Sequence, residues 1–499
     1  MPVITFPLAG PTILNPSQSV NTQRKTNVFT ATAGYVGRGD PKISSAYMLP
    51  SVNVLLPSAG LQLLAATGGN VVRAIIILDN GLDLQGVIYV VVDLTVYLMT
   101  INTITLATTL TSIGTLDGNP TAPISWDYNP TQIVMVDGEK NWGWVITYST
   151  NTLTKITSPN FVGGDTVVFM DTYFIYNQPG TQKMWASQIN DGIDYNALDV
   201  ASAESRADTV VGLVVDKEEL IVLGTNSIEV WYDAANPTGF PFSIRPGEYY
   251  DVGCCAKNSI RNIDNVVFFV DHHRYLCSID QTNGLTVLIN PDIRNEWAKY
   301  SYVGDAFAFV FEDSGQLMYQ ITFPTANKTW VYDLITQDIH ERGYWDGSGA
   351  YSRHRANVAA KYQNVYICGD YANGNIYAYS NNYFTDNGTS IRRLISTAFL
   401  HNEDLLTTIN SLYLHGEFGR GLTTGQGNDP QVMLRWSNDG GFNWSNEIWE
   451  SLGKGGEYIH RVKWYRLGTE RQWKFEFVIS DPIKFSLAEL GIDIEVNNV

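Results

Sequence analysis

From about residue 70 to residue 385 the sequence breaks again and again into short apolar runs cut off by Asp, Asn, Gly, Lys or Pro. Val210 to Val215, Leu220 to Leu223 and Ile228 to Tyr232 are three such runs in close succession. Runs this short, rich in β-branched residues and bounded by turn formers, predict consecutive antiparallel strands. The cadence repeats in seven groups that begin near Val71, Ile124, Thr166, Val210, Asn265, Phe307 and Val358. Three or four short strands recurring every 35 to 50 residues or so are what a β-propeller requires, one group per blade. Val266-Val267-Phe268-Phe269-Val270 does not alternate, as expected of a strand covered on both faces by neighbouring blades. The period fits six or seven blades, because the last group is short enough to be a closing half.

Composition agrees with an all-β chain. Hydrophobic residues make up 44% and aromatics 12%, enough to fill cores, while charged residues are only 16%. Helices that face water draw on Glu, Lys and Ala, so a shortage of charge favours sheets and turns. The length of 499 residues exceeds one ordinary core and calls for more than one domain. The net charge of −18 is opposite to that of a protein that binds nucleic acid by neutralising phosphates. It suits a soluble acidic protein, or a conduit along which DNA slides without sticking.

Both ends differ from the middle. Pro2, Pro7, Pro11 and Pro16 favour an extended amino-terminal stretch, either a frayed tail or an arm laid on a neighbouring molecule. After Asn387-Gly388 the cadence gives way to longer alternating strands such as Gln431 to Trp436 and Trp473 to Ile479, the pattern of a β-sandwich or jelly roll. The expected division is therefore an arm with lead-in strands over 1–65, a propeller over 66–387 and a sandwich over 388–499. The amino terminus lacks a signal-peptide pattern, and Gly86 to Met99, interrupted by Asp93, is shorter than the roughly 18 to 20 apolar residues of a membrane span. Cys254, Cys255, Cys277 and Cys368 are too few and too irregularly spaced for a disulfide framework, so they are expected to be reduced.

One long stretch carries a family resemblance. Ser187, Asp191, Tyr195 and Asp199, then Ala203-Glu204, Asp208, Gly212, Gly224, Ile228-Glu229 and the segment from Phe240-Pro241-Phe242 to Gly253 follow in an order that resembles the phage stabilisation family. Those proteins form the tail hub, or nozzle, of short-tailed bacteriophages. The resemblance implies a structural virion protein and not an enzyme: a ring of six copies that closes the portal channel, retains packaged double-stranded DNA and becomes its exit conduit. It also implies partners, namely the portal-adaptor protein above and a tail needle and tailspike or tail fibre below. Synthesis in the host cytoplasm follows, and no cofactor is implied.

Chemical motifs are sparse. Ser437, Asp439, Gly441 and Trp444 spell Ser-x-Asp-x-Gly-x-x-Trp, which resembles the Asp box known from sialidases. Its residues suit a hairpin turn: Ser and Asp bond the local backbone, Gly takes a conformation others resist, and Trp packs beneath. The seven histidines show neither His-Glu-x-x-His nor the spacing of a metal cage, and no nucleophile elbow or phosphate loop occurs. Asp191 to Asn196 is acidic enough to invite calcium, but acids and Asn in that order more often make Asx-turns. The rival reading, from the Asp box and the many Trp, is a carbohydrate-acting propeller, a sialidase-like hydrolase or a lectin.

Overall fold

A computed structural model describes residues 3–13, 23–33, 52–78, 86–402 and 405–497. The middle of the chain forms seven antiparallel sheets whose four core strands follow one another, the seventh borrowing its last strand from the amino-terminal side. The first strands of successive sheets start at Val72, Ser125, Val167, Val210, Arg261, Phe307 and Ala356, which settles the blade number at seven.

Seven separate apolar clusters hold the ring together, one between each pair of adjacent blades. Ile76, Tyr89, Met135 and Trp144 join the first blade to the second. Val134, Phe161, Phe174 and Tyr195 join the second to the third, and Met184, Leu220 and Trp231 the third to the fourth. Leu223, Ile228, Phe269 and Cys277 follow, then Leu276, Trp297, Tyr319 and Trp330. Phe311, Met318, Cys368 and Tyr379 join sixth to seventh, and Val72, Val90, Ile367 and Ile376 return to the first. A blade in this arrangement has no solvent face along its central strands. Hence Val266–Val270 is buried at all but its first residue, and strict alternation is lost. The one α-helix among the described residues, Pro291–Ala298, starts with Pro291 and is capped by Asn290 Oδ1, which accepts from Ile293 N at 3.0 Å. It inserts Ile293 and Trp297 between the fifth and sixth blades.

The ring closes with a strand from far away in the sequence. Gly60–Ala66, which the period places with the lead-in, pairs antiparallel with Asn375–Ser380 and completes the seventh blade. The described part of the amino-terminal stretch is likewise not a free arm. Val3–Pro7 pairs with Ser486–Asn497, and Val28–Ala33 forms a hairpin with Val52–Pro57 in the same six-stranded sheet. Pro7 ends its strand at a sheet edge, where a missing N–H costs least. Pro2, Pro16 and most of the Gly34 to Leu56 lead-in lie outside the described residues.

That six-stranded sheet also holds Leu406–Glu417 and Val462–Glu470. It packs on a second sheet built from Arg393–Ser396, Gln472–Ile479, Gln431–Ser437 and Ile448–Ser451, over a core of Leu8, Val28, Leu55, Trp464, Phe475 and Phe477. Leu406–Glu417 alternates buried and partly exposed positions over most of its length, as a strand with one covered face should. Arg24–Thr26 links the two halves of the molecule. It pairs antiparallel with Arg393–Ser396 and, through Thr26 and Glu341, parallel with the outer strand of the sixth blade. Blade and sandwich thus share one eleven-stranded sheet.

Candidate functional site

The residues that carried the family resemblance gather in the third and fourth blades and mostly fix turns. Asp208 accepts from Asn226 N at 2.7 Å and from Ser227 N at 3.0 Å, and so caps the loop between two strands of the fourth blade. Gly224 lies against that carboxylate; a Cβ there would stand 2.6 Å from Asp208 Oδ2. Gly253 crosses the same loop so closely that a Cβ would fall on the Thr225 carbonyl, and Cys254 N donates to Gly224 O at 2.8 Å. Glu229, 2% exposed, accepts from Ser205 N at 2.6 Å and Trp231 Nε1 at 2.8 Å, tying the incoming connection to the blade. Gly212 sits at a register shift in the innermost strand, facing Ile260 of the fifth blade. Glu204 is exposed. Replacing Gly253 by Ala is expected to cost about 1–3 kcal/mol, the usual cost of forcing an extra methyl into a packed site. A urea midpoint lowered at unchanged slope is the check.

Asp191 Oδ1 accepts from Ile193 N at 2.9 Å, an Asx-type turn, and Asn196 Oδ1 accepts from Leu198 N at 3.3 Å. Among the described residues no group of three or more His, Cys, Asp or Glu is placed to hold a metal ion. The four cysteines are free thiols.

The Asp-box residues close the hairpin between Gln431–Ser437 and Ile448–Ser451. Ser437 Oγ donates to Asp439 Oδ1 at 2.7 Å and accepts from Gly441 N at 2.8 Å. Asp439 accepts from Phe442 N at 3.0 Å and Asn443 N at 2.9 Å, and these bonds hold its carboxyl down at about 2. Gly441 has φ +101°, and Trp444 Nε1 reaches back to its carbonyl at 3.1 Å. Every one of these bonds is internal to the turn. Arg435 stacks on Trp444 with 4.7 Å from Cζ to the ring centre and pairs with Glu476 at 2.6 Å through Nε.

At the seam between propeller and sandwich the structure gathers charges that no sequence motif marks. Lys25, wholly buried, donates to Gly10 O at 2.7 Å and Thr30 Oγ1 at 2.9 Å and pairs with Asp338. Burial lowers its pKa, and Asp338 and Asp333 pull the other way. Arg24 Nε donates to Glu341 Oε2 at 2.8 Å. Burial pushes the Glu341 carboxyl up, but Arg24 and Lys328 hold it below the usual range. Asn27 bonds the backbone on both sides, to Gly343 O at 2.8 Å and Arg392 O at 2.9 Å. Beside them His340, 1% exposed, stacks on Phe29 with ring centres 6.2 Å apart.

At the propeller axis the innermost parts of all seven blades surround a cavity of about 310 Å³. Three cations face it: Arg73, Lys257 and Arg261. Arg73 is fully engaged, by Asp137 at 3.0 Å, Ala122 O at 2.6 Å and Asp93 O at 3.0 Å. Lys257 pairs with Asp165. Sequence reasoning missed this site because its residues come from different blades and share no spacing.

Two family models match the chain: "Bacteriophage P22 Gp10, beta-propeller" over residues 60–383 and "Bacteriophage P22 Gp10, beta-sandwich" over residues 392–495. No curated protein matches. Several solved structures resemble the chain at low sequence identity. The extracellular domain of the putative one component system BT4673 from B. thetaiotaomicron shares 13% identity at a TM-score of 0.42, covering 79% of this chain and 47% of that one, so this chain spans less than half of its length. BamB from Moraxella catarrhalis shares 8% at a TM-score of 0.35, with 62% and 96% covered. A chain of the Mitotic Checkpoint Complex shares 11% at 0.38, with 69% and 97% covered. Both halves of the fold, propeller and sandwich, are accounted for by the two family models, and the chain belongs to the phage stabilisation family of tail-hub proteins represented by bacteriophage P22 Gp10.

Proposed function

We propose that this chain assembles as a ring of six copies that closes the portal channel of a short-tailed phage, retains the packaged genome and becomes its exit conduit. The observation that carries this reading is the family match through both domains. Its partners are then the portal adaptor on one side and the needle and tailspike or fibre on the other. The role is mechanical, without catalysis, in a virion component made in the host cytoplasm.

Surface chemistry supports an assembling protein. Large apolar side chains stand exposed on the sandwich, among them Phe442 at 71%, Tyr458 at 68%, Ile459 at 93% and Trp449 at 57%. Aromatic residues of this kind anchor interfaces when a partner covers them. Subunits related by heterologous contacts close into rings. The net charge of −18 opposes adhesion of DNA to a lumen these subunits surround. Among the described residues no helix is long and apolar enough to cross a membrane.

Native mass measurement and electron microscopy of the purified protein, alone and with the adaptor, test the reading. The expected result is a closed ring of about six copies, stabilised by the adaptor. A persistent monomer that cleaves or binds saccharides would return the carbohydrate reading instead.

A further inference from the structure

Of the three cations at the propeller axis, Arg261 alone has no acid. Its Nη1 donates to the neighbouring Ile260 carbonyl at 2.6 Å, and no described carboxylate lies within ion-pair distance. Burial lowers its pKa, with only the Tyr319 hydroxyl acting in the opposite sense. The side chain is partly exposed to the cavity, so its guanidinium is accessible there and free to pair with an anionic ligand.

Two further donors line the same cavity. The Asn258 side chain makes no hydrogen bond within the described residues, and Ser125 Oγ accepts from Val167 N at 3.1 Å while its own proton is unused. Arg73 with Asp137 and Lys257 with Asp165 cancel in pairs, so the cavity keeps one positive charge. Its volume of about 310 Å³ is ample for a tetrahedral oxyanion and too small for a polymer.

We propose that the axial cavity of each propeller binds a small oxyanion such as inorganic phosphate, held by the Arg261 guanidinium with the Asn258 amide and the Ser125 hydroxyl as further donors. A bound anion would join two blades that are not neighbours, since Ser125 belongs to the second blade and Arg261 to the fifth. This site is independent of the ring: it lies within one subunit and can be tested on one.

The experiment titrates inorganic phosphate into the full chain at constant ionic strength balanced with chloride, and follows phosphorus-31 relaxation and the melting temperature. Binding should saturate, raise the melting temperature, and weaken at least about tenfold in Arg261→Met, the loss expected for a charge-assisted bond. In phosphate-free buffer Arg261→Met should melt no lower than the parent, because it removes an unpaired charge while keeping most of the volume. Should that variant not fold, Asn258→Ala is read instead and should weaken phosphate severalfold. A phosphate response no larger than that of chloride, an unchanged affinity in the variant that folds, or an equal fall in melting temperature with and without phosphate overturns the proposal.

Discussion

A chain shortened to begin at residue 67 is expected not to fold as a cooperative unit, although all seven blades' first three strands remain in it. The removed stretch contributes Leu8, Val28, Phe29, Leu55 and Leu61, each at most 1% exposed. Burying such side chains contributes about 1.5–3 kcal/mol apiece, so together they supply about 7–15 kcal/mol. The whole stability of a typical domain is about 5–15 kcal/mol. Loss of Gly60–Ala66 also leaves Asn375–Ser380 as an unpaired edge, and loss of Lys25 and Arg24 leaves Asp338 without its cation and Glu341 with Lys328 alone. A chain beginning at residue 23 keeps the seam and the closing strand. It should still unfold in one transition, at reduced stability. Limited proteolysis and urea titration distinguish the two outcomes; a cooperative transition in the shorter chain would show that the amino-terminal strands are accessory.

The same residues explain what could be read from the sequence and what could not. Each blade's first three strands are consecutive in sequence, so the seven groups are visible as runs of Val, Ile and aromatic residues. The closing strand is not, because Gly60 pairs with Ser380 and no periodicity spans such a separation. This is also why the period alone fits six or seven blades: without Gly60–Ala66 the final group is an incomplete blade. The amino-terminal prolines signal extended backbone, and Pro7 does end a strand, but extended backbone serves an arm and a sheet edge equally well. The choice is made by Val3 pairing with Asp493 at the other end of the chain.

The local and non-local sites divide along the same line. The Asp-box turn was legible because its hydrogen bonds run between Ser437, Asp439, Gly441 and their immediate neighbours. Asp208, Gly224 and Gly253 were recognisable in order, but their common purpose, clamping one loop of the fourth blade, appears only when the three meet in space. The Trp residues fell on both sides: Trp144 and Trp464 are core at 2% and 1% exposure, while Trp449 is more than half exposed. Lys25 gave no sign of its burial, since a lysine in a short polar run ordinarily faces water.

Acidification from pH 7.5 to 6 is expected to destabilise the protein by about 1.5 kcal/mol, and His340→Phe to remove about half of the effect. His340 and His354 are buried, and burial foremost, with Arg342 beside both, holds their pKa values well below the ordinary 6.5. The unfolded chain takes up a proton at each near 6.5 and the folded chain does not. Stability is therefore full above 6.5 and falls below it by about 1.4 kcal/mol per pH unit for each histidine. Asp127 and Asp386 act in the opposite sense. Burial raises both carboxyls to about 6, so below that pH the folded state binds protons that the unfolded state does not yet hold, and the decline flattens. In His340→Phe a somewhat larger aromatic ring takes over the stacking on Phe29, and the unpartnered Nε2 is removed. That variant should match the parent closely at pH 7.5 and exceed its stability by about 2 kcal/mol at pH 5, as read from urea midpoints across the range. Equal pH profiles for the two proteins would mean that His340 is protonated in the folded state and that the Lys25 and Arg342 charges beside it do not govern it.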